Sequence, residues 1–314
     1  MGYYFGIDTS NYRTSAALYD SENKTWQNSG RLLEVPEGRI GLRQSDALFQ
    51  HTLHLTERIA DLPQGFLRRV DAAAVSTRPR AVEGSYMPCF LCGAGTAHSM
   101  AHAAGIPCYE VSHQQGHLAA AALSADALDL LKKPFLAWHL SGGTTELLLV
   151  TPSETNGLPE AEIIGGTTDV AAGQIIDRAG NLLGLSFPAG AALEQLAQSC
   201  ENPEKPFRPK VMDSMFSLSG VQNKVEALAA SGADRPVIAR FAIDTIAEGV
   251  LKATAQAKQK YPLPVLCAGG VMSNRALQQA MHQRFGAKFA QPELSGDNAV
   301  GVAVLASLLH EEKS

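Results

Sequence analysis

Long apolar runs are missing from the chain: no stretch approaches the ~20 residues needed to cross a bilayer, which excludes a helical membrane span. Cysteine is scarce and odd in number, with Cys89, Cys92, Cys108, Cys200 and Cys267 scattered along the sequence. That pattern argues against a disulfide framework and fits a reducing compartment. Basic residues are in deficit, 26 Lys and Arg against 31 Asp and Glu, for a net charge of −5 and a pI near 6.0. A chain coated in basic surface is thereby excluded, so contact with nucleic acid would need a local patch or a basic partner. The opening residues, MGYYFGIDTS, lack a basic segment followed by a long apolar one, so no secretory leader is expected and the expected location is the cytoplasm. Also absent are a Ser-His-Asp order, H-E-x-x-H and the G-x-x-x-x-G-K loop, which argues against a serine hydrolase, a zincin protease and a P-loop ATPase.

What remains is ordinary globular composition, 45% hydrophobic over 314 residues, enough at ~150 residues per domain for about two domains. Gly2 to Asp8 reads as a strand, Asp8-Thr9-Ser10 as part of a small-residue turn, and Thr14 to Tyr19 as the hairpin partner, with a third strand near Trp26 to Leu33. A helix from Gln44 to Ala60, a strand from Ala72 to Ser76, a helix from Gly93 to Ala104 and the strand CYEV then alternate as in an α/β sheet. Ser112 is the candidate N-cap of the next helix, which runs to Leu123. The polar stretch 124–133 sets a boundary near residue 128. A second opening follows, Phe135 to Leu140, a Ser141-Gly142-Gly143-Thr144 turn, and Thr145 to Val150. The remainder reads as mainly helical, with one strand, PVLCA, before Gly269 and Gly270, and a last helix over about 297–309. Two similar openings suggest a duplicated α/β fold with a cleft between its halves.

His113 and His117 stand four apart on a predicted helix, so both imidazoles project from one face with spacing suited to a single metal ion. Two such histidines can equally line a polar face. Asp297, in SGDNA, would complete a set of two histidines and a carboxylate, or serve only as a helix N-cap. Three small-residue turns, at 8–10, 141–144 and AGGVMSN (268–274), can bring backbone N–H groups to an anion, and the last opens a helix where nucleotides commonly sit. Asp177 could bind ribose hydroxyls or pair in solvent. Cys89 and Cys92 form a lone C-x-x-C without the second pair a metal ribbon needs. Basic residues at Arg68, Arg69, Arg78, Arg80 and Lys205 to Lys210 read as solvated faces.

Taken in order, GIDTS, SHQQGH, LSGGT, TTDVAAGQIIDR, LLGLSFPAG, FSLSG, AGGVMSNR and GDNA resemble the motifs of the TsaD-like family, the tRNA adenosine threonylcarbamoyltransferases formerly classed as glycoproteases. The likeness spans nearly the whole chain. It implies the duplicated actin-like ATPase fold, with residues 1–127 as one domain joined by the C-terminal helix 297–310, and 128–296 as the other. It implies iron or zinc held by His113, His117 and Asp297, and an adenylate contacted by His139, Leu140, Ser141, Gly142, Gly143, Asp177, Gly190, Glu194 and Asn274. The implied reaction is transfer from threonylcarbamoyl-AMP to an adenosine next to the anticodon of tRNA, releasing AMP, with partner subunits helping to bring the tRNA.

The sequence also departs from the family pattern. Gln115 replaces the acidic residue of H-x-E-G-H, Tyr12 and Arg13 the acidic pair after the first turn, Thr144 the His of S-G-G-H, Gln174 a Glu and Gln222 a Lys. Replacing Glu by Gln removes a charge and a proton acceptor while keeping shape. Two readings therefore stay open: an active transferase, or a paralogue that binds nucleotide and acts on another acceptor or as a scaffold or regulatory partner.

Overall fold

A computed structural model describes residues 2–35, 42–294 and 299–311. The chain divides into two compact units, one of Met1–Lys133, Thr151–Glu160 and Glu293–Ser314, the other of Pro134–Val150 and Ala161–Pro292. The stretch read as a polar linker holds a 3-10 turn, Leu128–Lys132, whose Leu130 and Leu131 are buried.

Unit one opens with β1 (Tyr3–Ser10), β2 (Arg13–Asp20) and β3 (Thr25–Leu32), an antiparallel meander. Helix α1 (Gln44–Ala60) leads to β4 (Val70–Arg78), α2 (Phe90–Ala104) to β5 (Cys108–Ser112), and both later strands run parallel. The sheet order is β3-β2-β1-β4-β5. Helix α3 (His113–Ser124) follows β5 without a loop, and its Ala119–Ala122 run is buried. Such small side chains let the last helix, α9 (Val300–Glu311), approach closely. A Cβ on Gly301 would strike the Gly116 carbonyl and lie 2.7 Å from Ala120 N, so only glycine fits there.

Unit two repeats the plan with β6 (Phe135–Leu140), β7 (Thr145–Pro152) and β8 (Pro159–Thr167). Helices α4 (Ala172–Leu182) and α5 (Gly190–Gln198) come next, then the short pair β9 (Val211–Met212) and β10 (Met215–Phe216). Helices α6 (Ser219–Ala230) and α7 (Arg235–Lys260) lead to β11 (Val265–Ala268), α8 (Arg275–Phe285) and β12 (Lys288–Phe289). The sheet order is β12-β11-β6-β7-β8-β10-β9. Four strands here, β8, β9, β10 and β12, are ones the mainly helical reading of this half passed over. β8 carries Glu160, Glu162 and two glycines, which weaken any strand signature. The core of this unit joins Trp138, Leu147, Ile175, Leu193, Phe216 and Val250, and the buried Trp138 indole N–H donates to Thr254 Oγ1 at 2.8 Å.

Candidate functional site

In unit one, the entry to α3 is locked by a reciprocal capping box. The Gln115 N–H donates to Ser112 Oγ at 3.2 Å, and Gln115 Oε1 accepts from the Ser112 N–H at 2.8 Å. Gln115, the position where the family motif carries an acid, is buried in this task and keeps the acceptor oxygen that the cap requires. The first turn of α3 being fixed, His113 and His117 face each other with their Nε2 atoms 2.9 Å apart. Two nitrogens so close can share one cation at ~2.0–2.1 Å each.

The other edge of His113 is held from the sheet. Its Nδ1 lies 3.0 Å from Asp8 Oδ1, and the Ser76 hydroxyl donates to the same oxygen. Asp8, Thr9 and Ser10 are thus the buried end of β1, not a turn that cradles an anion; the turn is Asn11 and Tyr12. Asp8 Oδ2 is buried and has no hydrogen-bond partner among the described residues. Nearby, His51 Nδ1 lies 2.7 Å from Thr14 Oγ1, and burial pushes its pKa down to about 4. Among the described residues no three ligand-type side chains cluster as a metal site. Asp297, the expected third ligand, lies outside the described residues. The donor set that is described fits a metal: two imidazole nitrogens turned to one point, with the first ring anchored by a buried carboxylate. Cys89 and Cys92 do not, because burial pushes the Cys89 thiol up to about 11 and raises Cys92 too, against thiolate chemistry.

In unit two, a pocket of about 410 Å³ is lined by Gly142, Asp177, Gly190, Glu194 and Asn274, five of the residues the resemblance singled out. Asp177 Oδ1 accepts the Ala189 N–H at 2.9 Å, Glu194 Oε1 accepts the Arg275 N–H at 2.7 Å, and Asn274 Oδ1 caps α8 through the Leu277 N–H at 3.0 Å. One oxygen of each carboxylate is spent on holding the wall, and the second makes no hydrogen bond among the described residues. Gly270, Val271 and Ser273, from the 268–274 turn, also line it, while Gly173, Ile176, Phe187, Pro188, Ala191 and Ile243 line it without having been singled out. For Gly173, Ile176, Phe187 and Pro188 the signal was present in the quoted AAGQIIDR and LSFPAG. A Cβ on Gly173 would strike the Ser141 carbonyl and lie 2.6 Å from Gly142 Cα, so this glycine lets α4 come up against the turn.

His139, Leu140, Ser141 and Gly143 do not line that pocket. Leu140 is fully buried, and His139 pairs across the hairpin with Glu146. Ser141 closes its own turn, accepting the Thr144 N–H on Oγ at 3.1 Å while donating its N–H to the Thr144 carbonyl at 2.8 Å. Gly143 stands where a Cβ would meet only open space. Asp169, also unforeseen, ties two quoted motifs together. Burial would raise its pKa, but the Ser217 hydroxyl at 2.5 Å and the N–H groups of Leu218 and Val170 hold it well below the usual carboxylate range. Of the departures, Gln174 is exposed, and Gln222 accepts from Arg178 at 2.5 Å while donating to Glu226 at 2.9 Å.

A family model described as TsaD, tRNA N6-adenosine threonylcarbamoyltransferase, matches residues 50–304. A curated tRNA N6-adenosine threonylcarbamoyltransferase of Rhizobium meliloti is 32% identical over 340 residues, covering 95% of this chain and 87% of the relative. Its counterpart in Sinorhizobium medicae is 33% identical over 260 residues, covering 76% and 68%. Among solved structures, full-length HypF in its phosphate- and nucleotide-bound form superposes with a TM-score of 0.58 at 13% identity, over 98% of this chain and 55% of that one. The activator of 2-hydroxyisocaproyl-CoA dehydratase from Clostridium difficile, with bound ADPNP, gives 0.53 at 12% identity, over 99% and 96%. At such identities these show the fold alone, the duplicated α/β fold of actin-like ATPases.

Proposed function

The chain belongs to the TsaD family of tRNA N6-adenosine threonylcarbamoyltransferases, and from that premise we propose that it moves a threonylcarbamoyl group from threonylcarbamoyl-AMP to the adenosine next to the anticodon of tRNA, with AMP leaving. The observation that carries this is the unit-two pocket, where Gly142, Asp177, Gly190, Glu194 and Asn274 meet. Its size suits a nucleoside. Glycines admit a ligand close to the backbone, and the free carboxylate oxygens of Asp177 and Glu194 accept hydrogen bonds from ribose hydroxyls. Positioning of this kind is where a transferase gains most of its rate, because it turns a bimolecular encounter into a held geometry.

His113 and His117, with Asp297, would hold one iron or zinc ion. Bound there, the metal would supply Lewis acidity toward substrate oxygens, stabilising the negative charge that builds up as the carbamoyl carbon is attacked. The chain's own part is to present two imidazole lone pairs from a capped helix and to keep one ring anchored from the sheet. The replacement of the motif acid by Gln115 leaves the cap intact, which favours a working site over a degenerate one. Partner subunits belong to the same reading: on unit one, Phe49 and Leu53 lie one turn apart on α1, and both they and Leu91 on α2 are exposed apolar side chains of an acidic chain. A tRNA substrate and free cysteines both accord with the cytoplasm.

The test is mass spectrometry of nucleosides from the total tRNA of a strain lacking this gene. Loss of threonylcarbamoyladenosine, restored by the wild-type gene, is the expected result. Undiminished modification would shift the function to another acceptor or to a binding role in the paralogue sense.

A further inference from the structure

The carboxylate of Asp8 has no solvent contact and no role in the transfer chemistry described above, yet it sits on the edge of His113 that faces away from His117. A carboxylate only accepts hydrogen bonds, so the 3.0 Å contact to Nδ1 requires the imidazole proton on that nitrogen. With Nδ1 protonated, the lone pair of a neutral ring is on Nε2, the atom 2.9 Å from His117 Nε2. Ser76, on β4, donates to the same Asp8 oxygen and so fixes the carboxylate that fixes the ring. Nδ1 and Nε2 lie on opposite edges of the imidazole, which keeps Asp8 itself away from any ion on Nε2. The arrangement costs something: Asp8 Oδ2 is buried without a hydrogen-bond partner among the described residues.

We propose that Asp8, backed by Ser76, is a positioning residue that selects the Nδ1-protonated tautomer of His113 and so presents its Nε2 lone pair for metal. The proposal rests on the metal reading of the two histidines. It adds a β1 carboxylate and a β4 hydroxyl, outside the helix that carries the ligands, as the determinants of how well those ligands bind. Removal of such partners typically weakens metal binding 10- to 100-fold.

The experiment compares the full chain with Asp8→Asn, Ser76→Ala and the double variant His113→Ala/His117→Ala. Asparagine keeps the size of aspartate, and its amide can donate to Nδ1, which favours the opposite tautomer. Nitrogen NMR of His113 in the metal-free proteins reads the tautomer directly. Visible-absorption titration with Co²⁺ alone reads affinity and ligand geometry, and thermal unfolding checks that each variant folds.

The expected result is an Nδ1-protonated His113 in the wild type, an Nε2-protonated one in Asp8→Asn, and a Co²⁺ affinity about 10- to 100-fold lower for Asp8→Asn. Ser76→Ala should fall between the two, with a changed visible spectrum. An Nε2-protonated His113 in the wild type, or wild-type Co²⁺ affinity in folded Asp8→Asn, overturns the proposal. Failure of the metal reading looks different: the wild type would take up no more Co²⁺ than the double histidine variant, and the tautomer alone would then decide what Asp8 does.

Discussion

Both units lay down a hairpin, add a third strand on its outer side and two parallel strands on its inner side: β3-β2-β1-β4-β5 in one, β8-β7-β6-β11-β12 in the other. They finish that common plan differently. In unit one the end of the first strand is sealed, with Asp8, Thr9 and Ser10 all buried and Asp8 held by the Ser76 hydroxyl and the His113 imidazole. In unit two the corresponding hairpin ends in Gly142 and Gly143, both exposed, and a pocket walled by glycines. One half thus concentrates side-chain donors that suit a cation, the other clears side chains away and leaves backbone open to the pocket. The same topology serves both because strand order fixes where the site falls, and side chains fix what it can hold.

The largest effect separating the halves should come from His113→Ala/His117→Ala, which is expected to abolish stoichiometric metal in the purified protein and cut transfer by more than about 100-fold, while AMP binding in unit two survives. Elemental analysis beside calorimetric AMP titration checks this, and unchanged metal content would remove the ligand assignment. Gly173→Ala should do the reverse. Its new methyl group collides with the Ser141 carbonyl, so AMP affinity should drop about 10-fold or more with metal content unchanged.

Stability against pH sharpens the contrast further. His51, fully buried in unit one, has a pKa lowered to about 4 by burial from an ordinary 6.5, so the unfolded chain binds the proton first. Its contribution is fully present above pH 6.5 and is lost as pH falls toward 4, a change on the order of 3 kcal/mol. Urea unfolding at a series of pH values should show this loss in the wild type and a shallower one in His51→Gln. The smallest effect is expected from Gln115→Glu: the acid can still accept the Ser112 N–H, so stability should change by about 1 kcal/mol or less, and transfer activity by little. A large gain in transfer would mean that the glutamine had tuned the chemistry and not only the cap.

The meander of unit one, the helix capped by Ser112, the second hairpin and the long α7 were legible from local pattern, because periodicity and capping are properties of neighbouring residues. β8, β9, β10 and β12 were not, since strands with acids and glycines, or of two residues, owe their state to the strands beside them. In the site, the i, i+4 spacing of His113 and His117 sufficed to put both rings on one face. Asp8 was misread as part of a turn because its partners, Ser76 and His113, are 68 and 105 residues away.

The sequence by itself therefore determined the family, the facing pair His113 and His117 and most of the elements, all of which are written in residue order and spacing. Only the tertiary structure decided that Asp8 stands behind His113, that Gln115 is a cap, that Asp169 joins two distant motifs, and that Gly142, Asp177, Gly190, Glu194 and Asn274 share a pocket while Leu140 and Ser141 do not. These are contacts between elements far apart in the chain. Their geometry is set by how sheets and helices pack, which no short window of sequence encodes.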